Sequence, residues 1–174
     1  MDRSAVEAAE DYCNAGYPLD AEAVLICELD GTETEVDTLI DRVSKIAEES
    51  NATSLTISKS EEERERFWLG RKSAFPATAR IAPDSYVMDG TIPRRKLAEV
   101  LGRITELSLE YGLQVVNVFH AGDGNLHPLI MFDANKPGEL KRVEELGAKI
   151  LTLCVKVGGV LTGEHGVGVE KRDL

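Results

Sequence analysis

An α+β fold of ferredoxin-like kind, an antiparallel or mixed sheet with helices packed on one face, is predicted by three observations. Helical and strand-like segments alternate along the chain. The strand candidates are short. Two of them flank Gly122-Asp123-Gly124-Asn125, a tight-turn sequence that makes its strands antiparallel.

Each element has a local reason. Ser4 to Asn14 is helical in pattern and stops at Gly16 and Pro18. Ala21 to Leu29 is a strand candidate around Val24-Leu25-Ile26-Cys27, closed by Asp30-Gly31. From Thr32 to Glu49, apolar residues recur at helical spacing with acids between them. Ala52 to Ser58 is a short strand candidate. Ser60 and Glu63 have the form of a capping box, and the helix they open carries Phe67, Trp68 and Arg71 before Phe75-Pro76 interrupts it. Pro83 to Ile92 reads as extended. Pro93 suits the first turn of the next helix, which buries Leu97, Val100, Leu101, Ile104, Leu107 and Leu109 and ends at Gly112. Leu113 to His120 and Leu126 to Phe132 are apolar strands. A helix then runs from Gly138 to about Lys156, and a glycine-rich segment follows.

The 174 residues suit one domain, since domains usually run about 100–200 residues. Twenty basic against 31 acidic side chains give a net charge of −11, which repels nucleic acid. No apolar run approaches the ~20 residues of a membrane helix. Cys13, Cys27 and Cys154 are odd in number and lack a C-x-x-C pattern, so they read as reduced thiols of a cytoplasmic protein.

The hairpin concentrates the chemistry. With Asp123-Gly124 as a two-residue turn, His120 faces His127 across the ladder, with Cβ atoms about 4.5–5.5 Å apart. Two imidazoles at that distance suit one metal ion, although incidental exposed histidines would pair in the same way. The third and last histidine of the chain stands in Gly163-Glu164-His165-Gly166-Val167-Gly168, whose glycines permit close backbone approaches. His120, His127 and Glu164 together form the donor set of an open site for zinc, manganese or iron. The glycine spacing matches neither a dinucleotide fingerprint nor a P-loop. A flexible tail is the plain alternative for it.

Two segments, Val118 to Pro128 and Gly158 to Gly168, resemble the signature segments of the C-terminal substrate (cap) domain of FAD-linked 2-hydroxy-acid oxidoreductases, flavoproteins of the vanillyl-alcohol-oxidase type. Trp68 to Phe75 and Tyr86 to Arg95 are similar to the same family, and within it the resemblance is to the glycolate-oxidising type. It spans nearly the whole chain. It implies that His120, His127 and Glu164 bind a divalent metal beside FAD, that His165 is the catalytic base and that Arg71 binds the substrate carboxylate. Hydroxyglutarate-type members carry a lysine near the position of Val87, so the resemblance implies a smaller acid, glycolate or D-lactate. Asp123 and Asn125 are expected to support a histidine or simply to form the turn.

The resemblance also implies partners. A flavin-binding domain normally precedes this one and holds most of the FAD, so residues 1–174 read as the cap without its cofactor cradle, inactive alone. An iron–sulfur subunit of a glycolate oxidase complex, and membrane association through such subunits, are further expectations. Two readings from other classes stay open: a stand-alone His-His-Glu metallohydrolase, and a non-catalytic ferredoxin-like binding module.

Overall fold

The computed structural model describes residues 1–174. In chain order it contains α1 (Arg3–Cys13), α2 (Glu33–Glu49), α3 (Glu61–Ala77), β1 (Asp84–Val87), β2 (Gly90–Thr91), α4 (Leu97–Tyr111), β3 (Val115–Asn117), β4 (Asn125–Leu126), β5 (Pro128–Phe132) and α5 (Glu139–Lys156). Short 3-10 turns at Thr78–Arg80 and Arg94–Lys96 follow α3 and precede α4. The fold class is α+β, as the sequence predicts.

One sheet has the order β1-β5-β3 and a second pairs β2 with β4, all antiparallel. Every residue of β5 is buried, because side chains that alternate along this central strand meet a core on each face. Ile130 and Phe132 join Val115 with Ile104 and Leu107 of α4 and Val143, Leu146 and Ile150 of α5. Leu129 and Met131 join Val116 and Val118 with Ala5, Val6 and Ala9 of α1 and Ala74 of α3. The expected packing of helices on one face is thereby corrected. Helices cover both faces, and α1 with α3 forms the layer that alternation alone did not reveal.

The helix ends follow their capping chemistry. Asp2 accepts from the Ala5 N–H at the start of α1, and Ser60 from Glu63 at the start of α3. Gly112 closes α4 at φ +59°. The 3-10 turn Arg94–Lys96 separates Pro93 from α4. Pro76 does not interrupt α3, which runs on to Ala77 before tightening. Leu109, expected in the core, is 79 % exposed, because α4 turns it away from α5.

Two strand expectations are not met. Ala21 to Leu29 makes only an isolated bridge, Asp2 to Ala23, and Leu25 is 77 % exposed. Ala52 to Ser58 forms no ladder at all. Both runs have strand composition, but neither finds a partner strand with which to build a ladder; the first pairs only with the N-terminus, where Met1 and Val24 exchange hydrogen bonds. The intervening α2 is a helix, as expected, with Glu35 completing a capping box at Thr32, yet it buries no residue fully.

Candidate metal and substrate site

The hairpin differs from expectation in one informative way. His120 pairs with Asn125, not with His127, around a four-residue loop, Ala121 to Gly124. The register continues into the sheet as Asn117 with Pro128 and Val116 with Leu129. Relative to a two-residue turn this is a slip of two positions. An even slip preserves the face on which each side chain stands, so the histidines become diagonal neighbours and still meet. Their rings are 5.5 Å apart, edge to face.

The longer loop is held from outside the hairpin. The Ile92 N–H donates to the Gly124 carbonyl at 2.9 Å, and β2 pairs with β4 immediately beyond. Gly124 sits at φ +72°, and a Cβ there would lie 2.1 Å from the Ile92 carbonyl oxygen, so this close approach requires glycine.

The glycine-rich segment reaches the hairpin from the end of α5. Val160 bridges to Thr91, and a Cβ on Gly159 would lie 1.8 Å from the Thr91 carbonyl oxygen, so only glycine lets the two backbones meet. Glu164 then lies 3.4 Å from His127 Nε2 through Oε2 and 3.9 Å from His120 Nε2 through Oε1. One donor atom from each of His120, His127 and Glu164 falls within 4.8 Å of the other two. Tetrahedral ligands about 2.0–2.1 Å from a zinc ion stand about 3.3 Å apart, so a modest closure of the three side chains suits such an ion. His120 and Glu164 are exposed and leave open positions, whereas the His127 side chain is only 13 % exposed. Burial, the largest influence on His127, lowers its pKa, which favours a neutral ring with a free lone pair.

His165 stacks on His127 with ring centroids 5.1 Å apart and stays exposed. The amide of Asn125 lies 3.5 Å from His127 Nε2, and its Oδ1 is buried without a partner. Asn125 therefore lies directly beside the cluster. Asp123 is exposed in the loop, where its N–H donates to the His120 carbonyl; its carboxylate bonds to no histidine. Arg71 stands half-buried on α3, where burial, the largest influence, lowers its guanidinium pKa, opposed by Tyr17 and Glu164. It has no ion-pair partner, and it feels the Glu164 charge.

Sequence reasoning missed two residues, Asp89 and Lys171. Asp89, between β1 and β2, has a side chain that is 0 % exposed. Its Oδ2 accepts from Thr162 Oγ1 at 2.6 Å and from the N–H groups of Gly163, Glu164 and His165 at 3.0, 3.0 and 2.8 Å. Burial is the largest single influence on this carboxyl and pushes its pKa up, but the four donors together outweigh it and hold the group well below the usual carboxylate range. Lys171 Nζ donates to the Asp89 carbonyl at 2.7 Å and the Leu161 carbonyl at 3.0 Å, and lies 3.8 Å from Asp89 Oδ2. An acid inside the apolar run Val87-Met88-Asp89-Gly90-Thr91-Ile92 was the available signal, since a charge is rarely buried unless paired.

The family model for FAD linked oxidases, C-terminal domain, matches residues 1–174. The chain is 60 % identical over 171 residues to glycolate oxidase subunit GlcD of Escherichia coli (strain K12), covering 98 % of this chain and 34 % of that protein. Against glycolate oxidase subunit GlcD of Bacillus subtilis the identity is 35 %, over 98 % of this chain and 36 % of the relative. A mitochondrial D-lactate dehydrogenase (cytochrome) of Arabidopsis thaliana is 30 % identical, over 90 % of this chain and 28 % of its own length. The chain thus spans about a third of the length of the relatives it matches. It belongs to the family of FAD-linked oxidase C-terminal domains.

Proposed function

We propose that this chain is the substrate-binding part of a flavin-dependent oxidoreductase that converts a small 2-hydroxy acid, glycolate or D-lactate, to the 2-oxo acid. The observation that carries the reading is the convergence of His120, His127 and Glu164 with His165 stacked against them. The similarity to glycolate oxidase subunits and a D-lactate dehydrogenase supports the substrate class.

His120 Nε2, His127 Nε2 and the Glu164 carboxylate would hold a divalent ion of zinc, manganese or iron(II). When bound, such an ion supplies Lewis acidity at the substrate hydroxyl, and FAD, held mainly by a flavin-binding domain, supplies the hydride acceptor. His165 accepts the hydroxyl proton as general base. Arg71, half-buried and without a carboxylate partner of its own, offers a planar fork to the substrate carboxylate. Asn125 presents its buried amide beside His127. Val87 carries no charge for a second carboxylate, which favours the smaller acids. An electron-accepting iron–sulfur partner subunit and a cytoplasmic location belong to the same reading.

A chimera tests it. The matching third of the Escherichia coli relative is replaced by this chain, and dye reduction is followed with glycolate and with D-lactate. Turnover that falls at least 100-fold in His165→Ala and Arg71→Ala, with Zn(II) or Mn(II) uptake lost in His127→Ala and Glu164→Ala, is expected. A folded, flavin-loaded chimera that reduces no dye with either acid would refute the oxidoreductase reading. Metal-dependent ester or amide hydrolysis by this chain alone would replace it with a hydrolase.

A further inference from the structure

We propose that Asp89 is a positioning residue for this site, its buried carboxylate setting the ring of His127 with one oxygen and the turn carrying Glu164 and His165 with the other. The two oxygens have unlike surroundings. Oδ2 collects four donors, the Thr162 hydroxyl and three consecutive backbone N–H groups. Oδ1 accepts from none of them. It faces His127 Nδ1 at 3.9 Å, and both atoms are shut off from solvent without another partner. A carboxylate is acceptor-only, so the group facing Oδ1 is favoured as a donor. Asp89 therefore selects the His127 tautomer protonated at Nδ1. That leaves the Nε2 lone pair facing the Asn125 amide nitrogen at 3.5 Å, on the side where the donor atoms converge; Glu164 Oε2, 3.4 Å away, belongs to an exposed carboxylate that water satisfies, so it competes only weakly for a ring proton. Lys171 beside it balances the buried charge.

Asp89 thus couples two segments far apart in sequence. The hairpin histidine and the loop from Thr162 to His165, the latter 73 to 76 residues beyond Asp89, are registered on one side chain. Second-layer carboxylates that fix a ligand imidazole characteristically change metal affinity by about 10–100-fold when altered. The metal consequence rests on the function proposed above, whereas the tautomer assignment does not.

Asp89→Asn separates positioning from scaffolding. Four donors surround the Oδ2 position, so the amide oxygen must take it, and the amide NH2 is then turned to His127 Nδ1. The preferred tautomer reverses to Nε2–H, which removes the ligand lone pair while the loop keeps its anchor. Thr162→Val is the complementary control, because it loosens the loop and leaves His127 untouched.

The 174-residue chain is labelled with 15N-histidine, and long-range 1H–15N spectra are recorded without metal. The wild type and Thr162→Val should show His127 protonated at Nδ1, and Asp89→Asn at Nε2, with the backbone amides of residues 162–165 dispersed in all three. Titration with Zn(II) and Mn(II) should then give affinity about 10–100-fold weaker in Asp89→Asn and less affected in Thr162→Val. A wild-type His127 protonated at Nε2, or one tautomer shared by wild type and Asp89→Asn, would overturn the proposal. Should Asp89→Asn not fold, the wild-type tautomer alone decides. Should the wild type take up neither metal, the metal reading fails, and the tautomer comparison still decides the role of Asp89.

Discussion

Replacing Gly124 with alanine tests how the hairpin is held in the register that brings the histidines together. Two costs add. A left-handed backbone at φ +72° disfavours a Cβ by about 1–2 kcal/mol. The added carbon would also lie 2.1 Å from the Ile92 carbonyl oxygen, so hairpin and β2 must separate by about 1 Å to reach ordinary contact. That movement breaks the 2.9 Å hydrogen bond from the Ile92 N–H to the Gly124 carbonyl, worth about 1 kcal/mol, and strains the packing of the buried Ile92 by about 1 kcal/mol more. The total is about 3–4 kcal/mol. Gly112→Ala is the matched control, since Gly112 also has a positive φ, +59°, but a Cβ there meets open space. It should cost about 1–2 kcal/mol. For a chain of this size about 2–4 °C of Tm corresponds to 1 kcal/mol, so Gly124→Ala should melt about 4–8 °C below Gly112→Ala. Calorimetry measures the difference, and hydrogen exchange at the Ile92 amide should speed up only in Gly124→Ala. Equal melting temperatures for the two variants, with Ile92 still protected, would refute the claim that this contact sets the loop.

Tyr17 is buried against α3 and donates to the Phe67 carbonyl, and burial is the main reason its pKa is pushed up to about 12. Its contribution to stability is fully present below pH 10 and is lost as the pH rises from 10 to 12, reaching about 3 kcal/mol. Absorbance titration should show Tyr17 ionising last of the four tyrosines, and Tyr17→Phe should flatten the alkaline loss of stability. Burial also pushes the Cys154 thiol up to about 11, whereas Cys27 is exposed. A thiol reagent at pH 8 should therefore modify Cys27 quickly and Cys154 only on unfolding, as peptide mass mapping would show. Finally, Ile130→Ala, at the centre of β5, should cost about 2–5 kcal/mol in urea denaturation, and Leu25→Ala within about 0.5 kcal/mol.

Local chemistry made much of this molecule legible. Capping residues, the Gly112 stop and apolar periodicity locate α1, α3, α4 and α5, and the clustering of all three histidines points to the site. What escaped depends on residues distant in sequence. Gly122-Asp123-Gly124-Asn125 supports a two-residue or a four-residue loop equally well, and Ile92 decides between them. Composition around Leu25 and Leu55 favours strands, but a strand also needs a neighbour, which no local pattern reveals. Asp89 was hidden because its worth lies in four donors more than seventy residues away. Arg71 was legible as a residue type, while its half-buried setting beside Tyr17 depends on α1 packing against α3.

Lys171 closes the glycine-rich segment on itself by donating to the Leu161 carbonyl ten residues earlier, and ties both to Asp89. A free loop of that length would have to be ordered at the moment a ligand arrives, with the entropy of chain closure charged against affinity. Here the ring of residues 161–171 is already shut by Lys171, a residue only 5 % exposed. Glu164 and His165 project from a segment whose disorder is lost during folding, so binding at this site resembles the filling of a rigid mould more than the closing of a hand.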